Sequence, residues 1–406
     1  MRKTIIFIMI LLISVGLVAC KKDNPDNVDE AHSYAHSFAF DNYMSTLIRV
    51  NFRTSSRDKA LNIQQEIHNI YKMYHELTTN YDPLSVDSLY KQNIYSINQQ
   101  KDVTLEIDKE LYDIILFSEE LRVVTNGFFN IGIGKIVDAW KSMITPEELP
   151  NIGDTVFLTE FEVYRQVTQI DKGRIYVEGY TQSFSPYDVK MDVTDLAINE
   201  VKTSVSEMNI NDFNILLTEE DNQYFVRISG NHIKLDLGAI SKGYATQKAM
   251  DYLVSEGVKY FSISAGSSSI VIGEHFQREG GRYWIELTNP IQTTTQSPGY
   301  GTFYAKNVSV TTSGNYEQYV VYNYKRYHHI VSPETKEPAH FYHTVTLIGE
   351  DAGLLDALST ALFSMSKDQL EAWIELYQDV YQLDIITFNQ DRTISKYLSR
   401  DIDEDF

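Results

Sequence analysis

The chain has 406 residues, a net charge of −21 and a single cysteine. A hydrophobic content of 43% and a charged content of 22% are ordinary for a folded protein, so they exclude wholesale disorder. An excess of 56 Asp and Glu over 35 Lys and Arg excludes a basic surface for nucleic acid, and one cysteine excludes an internal disulfide framework and a cysteine-based zinc site.

The N-terminus has the pattern of an export signal. A positively charged start precedes an apolar run over residues 5–18, which is shorter than the roughly 20 residues of a membrane-spanning helix. The run ends in Leu17-Val18-Ala19-Cys20, which is similar to the bacterial lipobox, where the cysteine is acylated. We expect residues 1–19 to be a signal peptide and residues 20–38 a tether. The alternative is an ordinary signal or anchor helix with a chance cysteine.

This pattern also predicts a location. Acylation of Cys20 would tie the folded body to a lipid membrane, because several acyl chains bind a bilayer firmly. No later run in the sequence is long and apolar enough to span a membrane. We therefore expect a lipid-anchored lipoprotein of the bacterial cell envelope.

Hydrophobic periodicity predicts one α/β body over residues 39–406, with an insertion near residues 141–195 that contains short strands. Helical spacing predicts helices over 57–77, 109–124, 240–256, 353–365 and 367–379. Alternation predicts strands over 37–53, 231–237, 261–265, 282–288, 303–311, 317–324, 342–349 and 383–388. Residues 231–265 therefore form a predicted β–α–β unit, in which Gly257 follows the end of the helix.

Two glycine-containing segments are candidates for phosphate binding. Gly127 to Lys135 lacks the Lys-Ser/Thr of a phosphate loop and the third glycine of a dinucleotide turn, which favours a tight turn. Asp236-Leu-Gly-Ala-Ile-Ser-Lys242-Gly243 leaves a predicted strand and enters a predicted helix, where free N–H groups favour phosphate. Lys242 would add a positive charge there. Such turns are also common without a ligand, so both interpretations stay open.

Asp356 and Thr360 lie four residues apart on a predicted helix and share one face. Their neighbours are apolar, so the carboxylate is expected to be buried and to need a partner. A hard cation such as Mg²⁺ suits a carboxylate and a hydroxyl oxygen. The alternative is a buried aspartate that caps a neighbouring loop.

Four of the ten histidines lie within 16 residues: His328, His329, His340 and His343. This grouping suggests zinc, but no carboxylate or cysteine completes a usual ligand pattern. Adjacent residues of a strand point to opposite faces, so His328 and His329 are not expected to bind one ion.

Taken in order, several segments resemble the ApbE-type FAD:protein FMN transferases. The resemblance extends from about residue 40 to 400, apart from the insertion, and it implies an α+β fold with mixed sheets and packed helices, the T-fold-like flavin transferase architecture. The matching segments are Met44-Ser45-Thr46, Asn126-Gly127-Phe128-Phe129-Asn130 with Trp140, Asp236 to Ala245, Ile263 to Gly266, Thr312-Ser313-Gly314, His329 to Thr335, and Leu355 to Ala361. The segment from Tyr81 to Asn93 is also similar to a family segment.

The resemblance implies a site for FAD and Mg²⁺. Asp356, Thr360 and the main-chain oxygen of Ala239 match the metal ligands. His329 matches the family's histidine and would be the base, although a structural role stays open, and Lys242 would support catalysis and contact the cofactor. The remaining FAD contacts implied by the match are Met44, Tyr81, Phe128, Phe129, Asn130, Asp236, Thr312, Ser313 and Ile330.

The resemblance also implies an activity and its alternatives. Family enzymes break the pyrophosphate of FAD, release AMP and attach FMN through phosphate to Thr or Ser of an acceptor protein, here expected to be an exported redox protein. The same site also suits an FAD pyrophosphatase. A non-catalytic descendant that binds flavin or another ligand is the third interpretation.

The chain departs from the family pattern at several cavity positions. Ser45 and Lys336 stand where the family has glycine, and Asn130 and Ser332 stand where it has aspartate. Gly266-Ser267-Ser268 replaces Gly-Gly-Asp, and Gln247 replaces a further aspartate. The predicted metal pair and Lys242 are retained, which favours retained binding of Mg²⁺ and FAD.

Overall fold

The computed structural model describes residues 30–144, 149–291, 299–399 and 403–405. The signal peptide and Cys20 lie outside the described residues. No helix in these ranges has the length and apolar character needed to cross a membrane. The helices are α1 (Arg57–Thr78), α2 (Ile94–Asn98), α3 (Lys109–Val124), α4 (Gly134–Lys141), α5 (Asp195–Ser206), α6 (Ser241–Ser255), α7 (Ala352–Phe363) and α8 (Lys367–Tyr381).

Within the described ranges, the strands form one large sheet and four small ones. They are β1 (Tyr34–Phe40), β2 (Ile48–Thr54), β3 (Leu105–Ile107), β4 (Thr155–Leu158), β5 (Val163–Asp171), β6 (Arg174–Val177), β7 (Val189–Lys190), β8 (Asn214–Glu220), β9 (Gln223–Ser229), β10 (Phe261–Ala265), β11 (Ser269–Ile272), β12 (Tyr283–Thr288), β13 (Gly299–Ala305), β14 (Val308–Gly314), β15 (Tyr319–Tyr322), β16 (Lys325–His328), β17 (Tyr342–Gly349), β18 (Asp384–Asn389), β19 (Ile394–Tyr397) and β20 (Asp403–Asp405).

The large sheet has eight antiparallel strands in the order β1-β2-β10-β11-β14-β17-β18-β19. Strand β17 lies in the interior of the sheet, between β14 and β18, and is buried along its whole length. Helices α6 and α7 pack against the sheet and against each other, and α1 packs on α6. The α+β fold class predicted from the sequence is confirmed, with helices on a mainly antiparallel framework.

The long helices follow from their apolar spacing and caps. In α1, Ile63, Ile67 and Tyr71 are buried on one face, and Ser56 accepts a hydrogen bond from the backbone of Lys59 at the N-terminus. Helix α3 has the predicted bounds, and α7 and α8 differ from theirs by one or two residues. Gly257 has a φ of 73° just beyond α6, as a residue that ends a helix requires.

The predicted strand over residues 37–53 is wrong as a single element. The chain instead forms the hairpin β1–β2, in which Phe40 pairs with Ile48. Met44 and Ser45, in the loop between the two strands, have φ values of 54° and 51°. Strand β1 begins at Tyr34, so the tether predicted to reach residue 38 ends earlier, because residues 34–38 pair with β2.

The predicted strand over residues 231–237 is also wrong. Ile233, Leu235 and Leu237 are buried as the alternation indicates, yet the segment is not a strand of any sheet in the described ranges. It makes an isolated bridge between Lys234 and Ile133, and the N–H of Asp236 donates to the carbonyl of Ile131 at 2.8 Å. The side chain of Asn98 instead bonds both the N–H and the C=O of Leu235, at 2.6 and 2.9 Å. The β–α–β unit is therefore an extended segment, a helix and a strand.

The predicted strand over residues 303–311 is divided between two sheets. Residues up to Ala305 belong to β13, in a small sheet with β12 and β20, whereas Val308 begins β14 of the large sheet. Asn307, with a φ of 52°, lies between them. The segment over 141–195 contains the short strands that the sequence predicts, β4 to β7, which form a four-stranded sheet with its own buried cluster.

Candidate functional site

A cavity of about 560 Å³ opens between the large sheet, α6, α7 and the loop after α3. It brings together every catalytic, cofactor-binding and metal-binding residue that the sequence predicts within the described ranges. These residues are Met44, Tyr81, Phe128, Phe129, Asn130, Asp236, Ala239, Lys242, Thr312, Ser313, His329, Ile330, Asp356 and Thr360. Their roles stay predictions, while their shared location is a structural finding.

Helices α6 and α7 are in close contact at the site. The N–H of Gly243 donates to Asp356 Oδ2 at 2.8 Å. A Cβ on Gly243 would lie 2.2 Å from the carbonyl oxygen of Ala352 and 2.5 Å from Asp356 Cβ, so only glycine permits this approach. Asp356 is 5% exposed, and burial raises the pKa of its carboxyl, against the opposing effects of Lys242 and the Gly243 N–H.

Further oxygen atoms line the cavity together with this carboxylate. Thr360 lies one helical turn beyond Asp356, and its hydroxyl donates to the Asp356 carbonyl at 3.2 Å. Ser313 Oγ lies 3.4 Å from Thr360 Oγ1 and 2.8 Å from Ser359 Oγ. Ala239, at the turn before α6, lines the same cavity. These oxygens are hard donors of the kind that Mg²⁺ prefers, and Asp356 is their one carboxylate.

His329 lies on the cavity wall beside two lysines. Burial, together with the charges of Lys141 and Lys242, lowers the pKa of its imidazole to about 4, against smaller opposing effects of the Gln318 backbone and Asp236. The ring is therefore neutral at neutral pH and able to accept a proton. Its Nδ1 is buried with no hydrogen-bond partner in the described part of the chain.

Lys141 is a cavity residue that the sequence reasoning missed. Its Nζ lies 3.7 Å from Asp236 Oδ2 and 3.5 Å from the hydroxyl of Tyr81. Burial alone would lower the pKa of this ammonium, but Asp236, Tyr81 and Asp138 together raise it. Its position directly after Trp140, the tryptophan of the matched segment, was the available signal.

The turn that contains Met44 closes one end of the cavity. The N–H of Met44 donates to His75 Nδ1 at 3.3 Å, and the N–H of Gly266 donates to the carbonyl of Leu47 at 2.9 Å. A Cβ on Gly266 would lie 2.3 Å from the hydroxyl oxygen of Thr46, so two segments that are distant in sequence meet here. Next to Gly266, Ser267 donates a hydrogen bond to Glu317, and both line the cavity.

The loop after α3 forms the aromatic wall. The N–H of Phe129 donates to Thr125 Oγ1 at 3.0 Å, and Asn130 Oδ1 accepts from the N–H of Gly132 at 2.8 Å. The amide of Asn130 thus makes the turn-closing bond that an aspartate would make at this position. Thr312, on β14, also lines the cavity, and its Oγ1 lies 2.9 Å from Thr346 Oγ1. Tyr81 is 61% exposed at the rim.

Among the other three clustered histidines, the rings of His328 and His340 have their centroids 6.1 Å apart, and each of the three has further protein neighbours. His328 is fully buried with Nε2 2.8 Å from the carbonyl oxygen of Ala339, His340 packs on the ring of Tyr327, and His343 Nδ1 lies 3.4 Å from Asn315 Oδ1. Among the described residues, no group of three or more His, Cys, Asp and Glu side chains has the arrangement of a metal site.

The architecture matches solved structures of ApbE flavin transferases. The ApbE protein of Thermotoga maritima has a TM-score of 0.63 and 21% identity, over 89% of this chain and 97% of that one. The flavin transferase ApbE of Vibrio cholerae has a TM-score of 0.58 and 19% identity, over 90% of this chain and 98% of that one. At these identities the likeness establishes a shared fold.

The sequence itself defines the family. The model of the ApbE family matches residues 44–383, and the chain belongs to that family. A FAD:protein FMN transferase of Klebsiella pneumoniae (strain 342) is 30% identical over 182 residues, which is 45% of this chain and about half, 54%, of that relative. The FAD:protein FMN transferase of Haemophilus influenzae is 21% identical over 370 residues, 91% of this chain and 89% of the relative.

Proposed function

We propose that the chain is a Mg²⁺-dependent FAD:protein FMN transferase. Family membership and the names of the relatives support flavin transfer. The observation that carries the proposal is the single cavity that gathers the buried carboxylate of Asp356, the neutral His329 and the lysines 141 and 242. FAD is an anionic dinucleotide with a large aromatic ring system, and the cavity offers both cations and aromatic side chains to it.

The residues around Asp356 fit Mg²⁺. A buried carboxylate whose ionised form is disfavoured by desolvation gains from a cation, and the carboxylate would hold the ion together with Thr360 Oγ1 and the main-chain oxygen of Ala239. When bound, Mg²⁺ would polarise phosphoryl oxygens and stabilise the charge that develops on them. Lys242, at the start of α6, would hold the pyrophosphate by charge.

His329 is the proposed proton acceptor. The acceptor hydroxyl would attack the FMN-side phosphorus of FAD, forming the new phosphoester bond while the bond to AMP breaks. The hydroxyl proton would pass to His329, and AMP would leave with the electron pair of the broken P–O bond.

A transfer assay tests the proposed function. The protein is incubated with FAD, Mg²⁺ and an acceptor protein with an accessible Thr or Ser, and AMP and covalent flavin are measured. Covalent FMN on the acceptor supports the transferase. Free FMN and AMP without an acceptor would identify a pyrophosphatase, and no AMP under any condition would overturn both catalytic interpretations.

We also propose that the protein is acylated at Cys20 and held at the membrane of the bacterial cell envelope, where its acceptors would be exported redox proteins. The lipobox-like residues 17–20 support this. Membrane fractionation of the full chain and of the variant Cys20→Ser tests it: the native chain is expected in the membrane fraction and the variant outside it. Equal distribution of the two would contradict the proposal.

A further inference from the structure

Lys141 lies at the edge of the cavity, next to a buried tryptophan. It is the last residue of α4, and its neighbour Trp140 is 1% exposed. The indole N–H of Trp140 donates to the carbonyl of Lys336 at 2.8 Å, and its ring stacks on Tyr327 with the centroids 5.5 Å apart. Lys336 has a φ of 59°, so the loop that receives the indole is itself sharply turned. This anchor fixes where the Lys141 side chain begins.

The ammonium of Lys141 joins two other segments. Asp236 comes from the extended segment before α6, and Tyr81 comes from the loop after α1. Lys141 Nζ lies 3.7 Å from the Asp236 carboxylate and 3.5 Å from the Tyr81 hydroxyl. The Lys141 side chain is 31% exposed and that of Asp236 is 13% exposed, so both charges are partly withdrawn from water.

The contact between Lys141 and Asp236 bears on whether the cavity can bind an anionic ligand. The chain carries a net charge of −21, and the cavity contains the carboxylates of Asp236, Glu317 and Asp356. Asp236 Oδ1 accepts the N–H of Gly238 at 2.8 Å, which fixes this carboxylate at the turn that leads into α6. Without a nearby cation, the fixed negative charge would repel an anionic dinucleotide through a poorly screened cavity.

We propose that Lys141 is a positioning residue that neutralises Asp236 and ties it to Tyr81, so that the cavity admits an anionic dinucleotide. This inference rests on the proposed function and deepens it, because it names the group that makes an acidic cavity compatible with a pyrophosphate ligand. Lys141 acts through Asp236 and not on the reacting atoms. Its loss should therefore matter much less when Asp236 carries no charge.

A double-mutant cycle on FAD binding tests this role, with flavin fluorescence as the readout. Lys141→Met is expected to raise the Kd for FAD about tenfold, because it leaves Asp236 uncompensated. In the Asp236→Asn background, Lys141→Met is expected to change the Kd by less than about threefold. Lys141→Arg, which keeps the charge, should retain affinity. Equal fold-changes in both backgrounds, or an unchanged Kd in Lys141→Met, would overturn the proposal.

Two controls distinguish a failure of the proposed Lys141 role from a failure of the proposed function. Lys259→Met removes the cation of an ion pair with Glu274, 3.1 Å apart and outside the cavity, and should leave the Kd unchanged. Urea unfolding of each variant confirms that it folds. If Lys141→Met does not fold, a loss of FAD affinity of about tenfold in Lys141→Arg, which keeps the charge, would still overturn the proposal. A wild-type chain that binds no FAD would overturn the proposed function and this inference together. Wild-type binding with no coupling between Lys141 and Asp236 would overturn the inference alone.

Discussion

Gly243 and Asp356 meet where α6 and α7 cross, with the glycine N–H donating to the aspartate carboxylate at 2.8 Å. This contact connects two segments separated by more than a hundred residues and fixes the orientation of the buried carboxylate. The glycine is needed for its size and not for an unusual backbone angle. The predicted metal residue Asp356 is thus positioned by the packing of two helices.

The first prediction concerns this packing. In Gly243→Ala, the added methyl group would lie 2.2 Å from the Ala352 carbonyl oxygen, so the helices must separate. We expect the free energy of unfolding to fall by about 1–3 kcal/mol in urea titrations, and AMP release to fall with it. Ser255→Ala, at the exposed end of α6, is the control. Wild-type stability in Gly243→Ala would contradict the observed packing.

The second prediction concerns the unfavourable free energy of burying the ionised carboxylate of Asp356. Burial raises the pKa of Asp356, so the folded state disfavours its ionised form at neutral pH. Asp356→Asn is expected to raise the Tm of the metal-free protein at pH 7 and to reduce Mg²⁺-dependent AMP release on the order of 100-fold or more.

The gain in Tm should shrink as the pH falls, since the wild-type carboxyl then becomes protonated. Calorimetry at pH 7 and pH 4 tests this dependence. A lower Tm in Asp356→Asn than in the wild type at pH 7 would show that the carboxylate stabilises the metal-free fold.

The third prediction concerns His329. A general base acts in its neutral form, and the pKa of this ring is lowered from 6.5 to about 4. The rate of AMP release is therefore expected to stay level through pH 6.5 and to fall only as the pH approaches 4. His329→Gln should lower kcat by about 10²–10⁴. A loss of activity centred near pH 6.5 would contradict the lowered pKa.

The fourth prediction concerns stability in acid. Burial lowers the pKa of His328 well below 6.5, and those of His340 and His343 to about 4. The unfolded chain therefore binds more protons than the folded chain between pH 6.5 and 4. The stability that these neutral rings contribute is present above pH 6.5 and is lost as the pH falls through that window.

Urea unfolding between pH 7 and pH 4 measures this loss. His340→Phe keeps a ring against Tyr327 and removes one titrating group whose Nε2 has no partner among the described residues, so its stability should depend less steeply on pH. If the stability of His340→Phe depends on pH as steeply as that of the wild type, this result would contradict the lowered pKa of His340.

The fifth prediction concerns the loop between β1 and β2. Ser45 has a φ of 51°, a conformation that costs a non-glycine residue about 1 kcal/mol. Ser45→Gly is expected to raise the free energy of unfolding by about 0.5–1 kcal/mol, whereas Ser37→Gly, at an exposed position of β1, should lower it. Equal effects of the two substitutions would argue against strain at Ser45.

The sequence predicts much of the site, because its segments keep the family order even where single residues differ. Asp356 and Thr360 are four residues apart on a helix, which alone places them on one face. Asn130 and Lys336 show why some departures are tolerated: the amide of Asn130 makes the turn-closing bond, and Lys336 adopts a positive φ where the family has glycine.

Other features depend on partners that are distant in sequence. The alternation of Ile233, Leu235 and Leu237 predicts burial correctly, but the Asn98 side chain takes both backbone bonds of Leu235 that a neighbouring strand would otherwise make. The turn at Met44 and Ser45 has no glycine or proline to mark it. Lys141 belongs to no motif, and only the fold brings it to Asp236 and Tyr81.

The most direct test of the central claim is the stoichiometry of transfer. The purified protein is incubated with FAD, Mg²⁺ and an acceptor protein, and both AMP and acceptor-bound FMN are counted. Flavin transfer predicts one AMP for each FMN bound covalently, with both products reduced on the order of 100-fold or more in Asp356→Asn. AMP released without covalent FMN, or products unchanged in Asp356→Asn, would contradict the proposed transferase site.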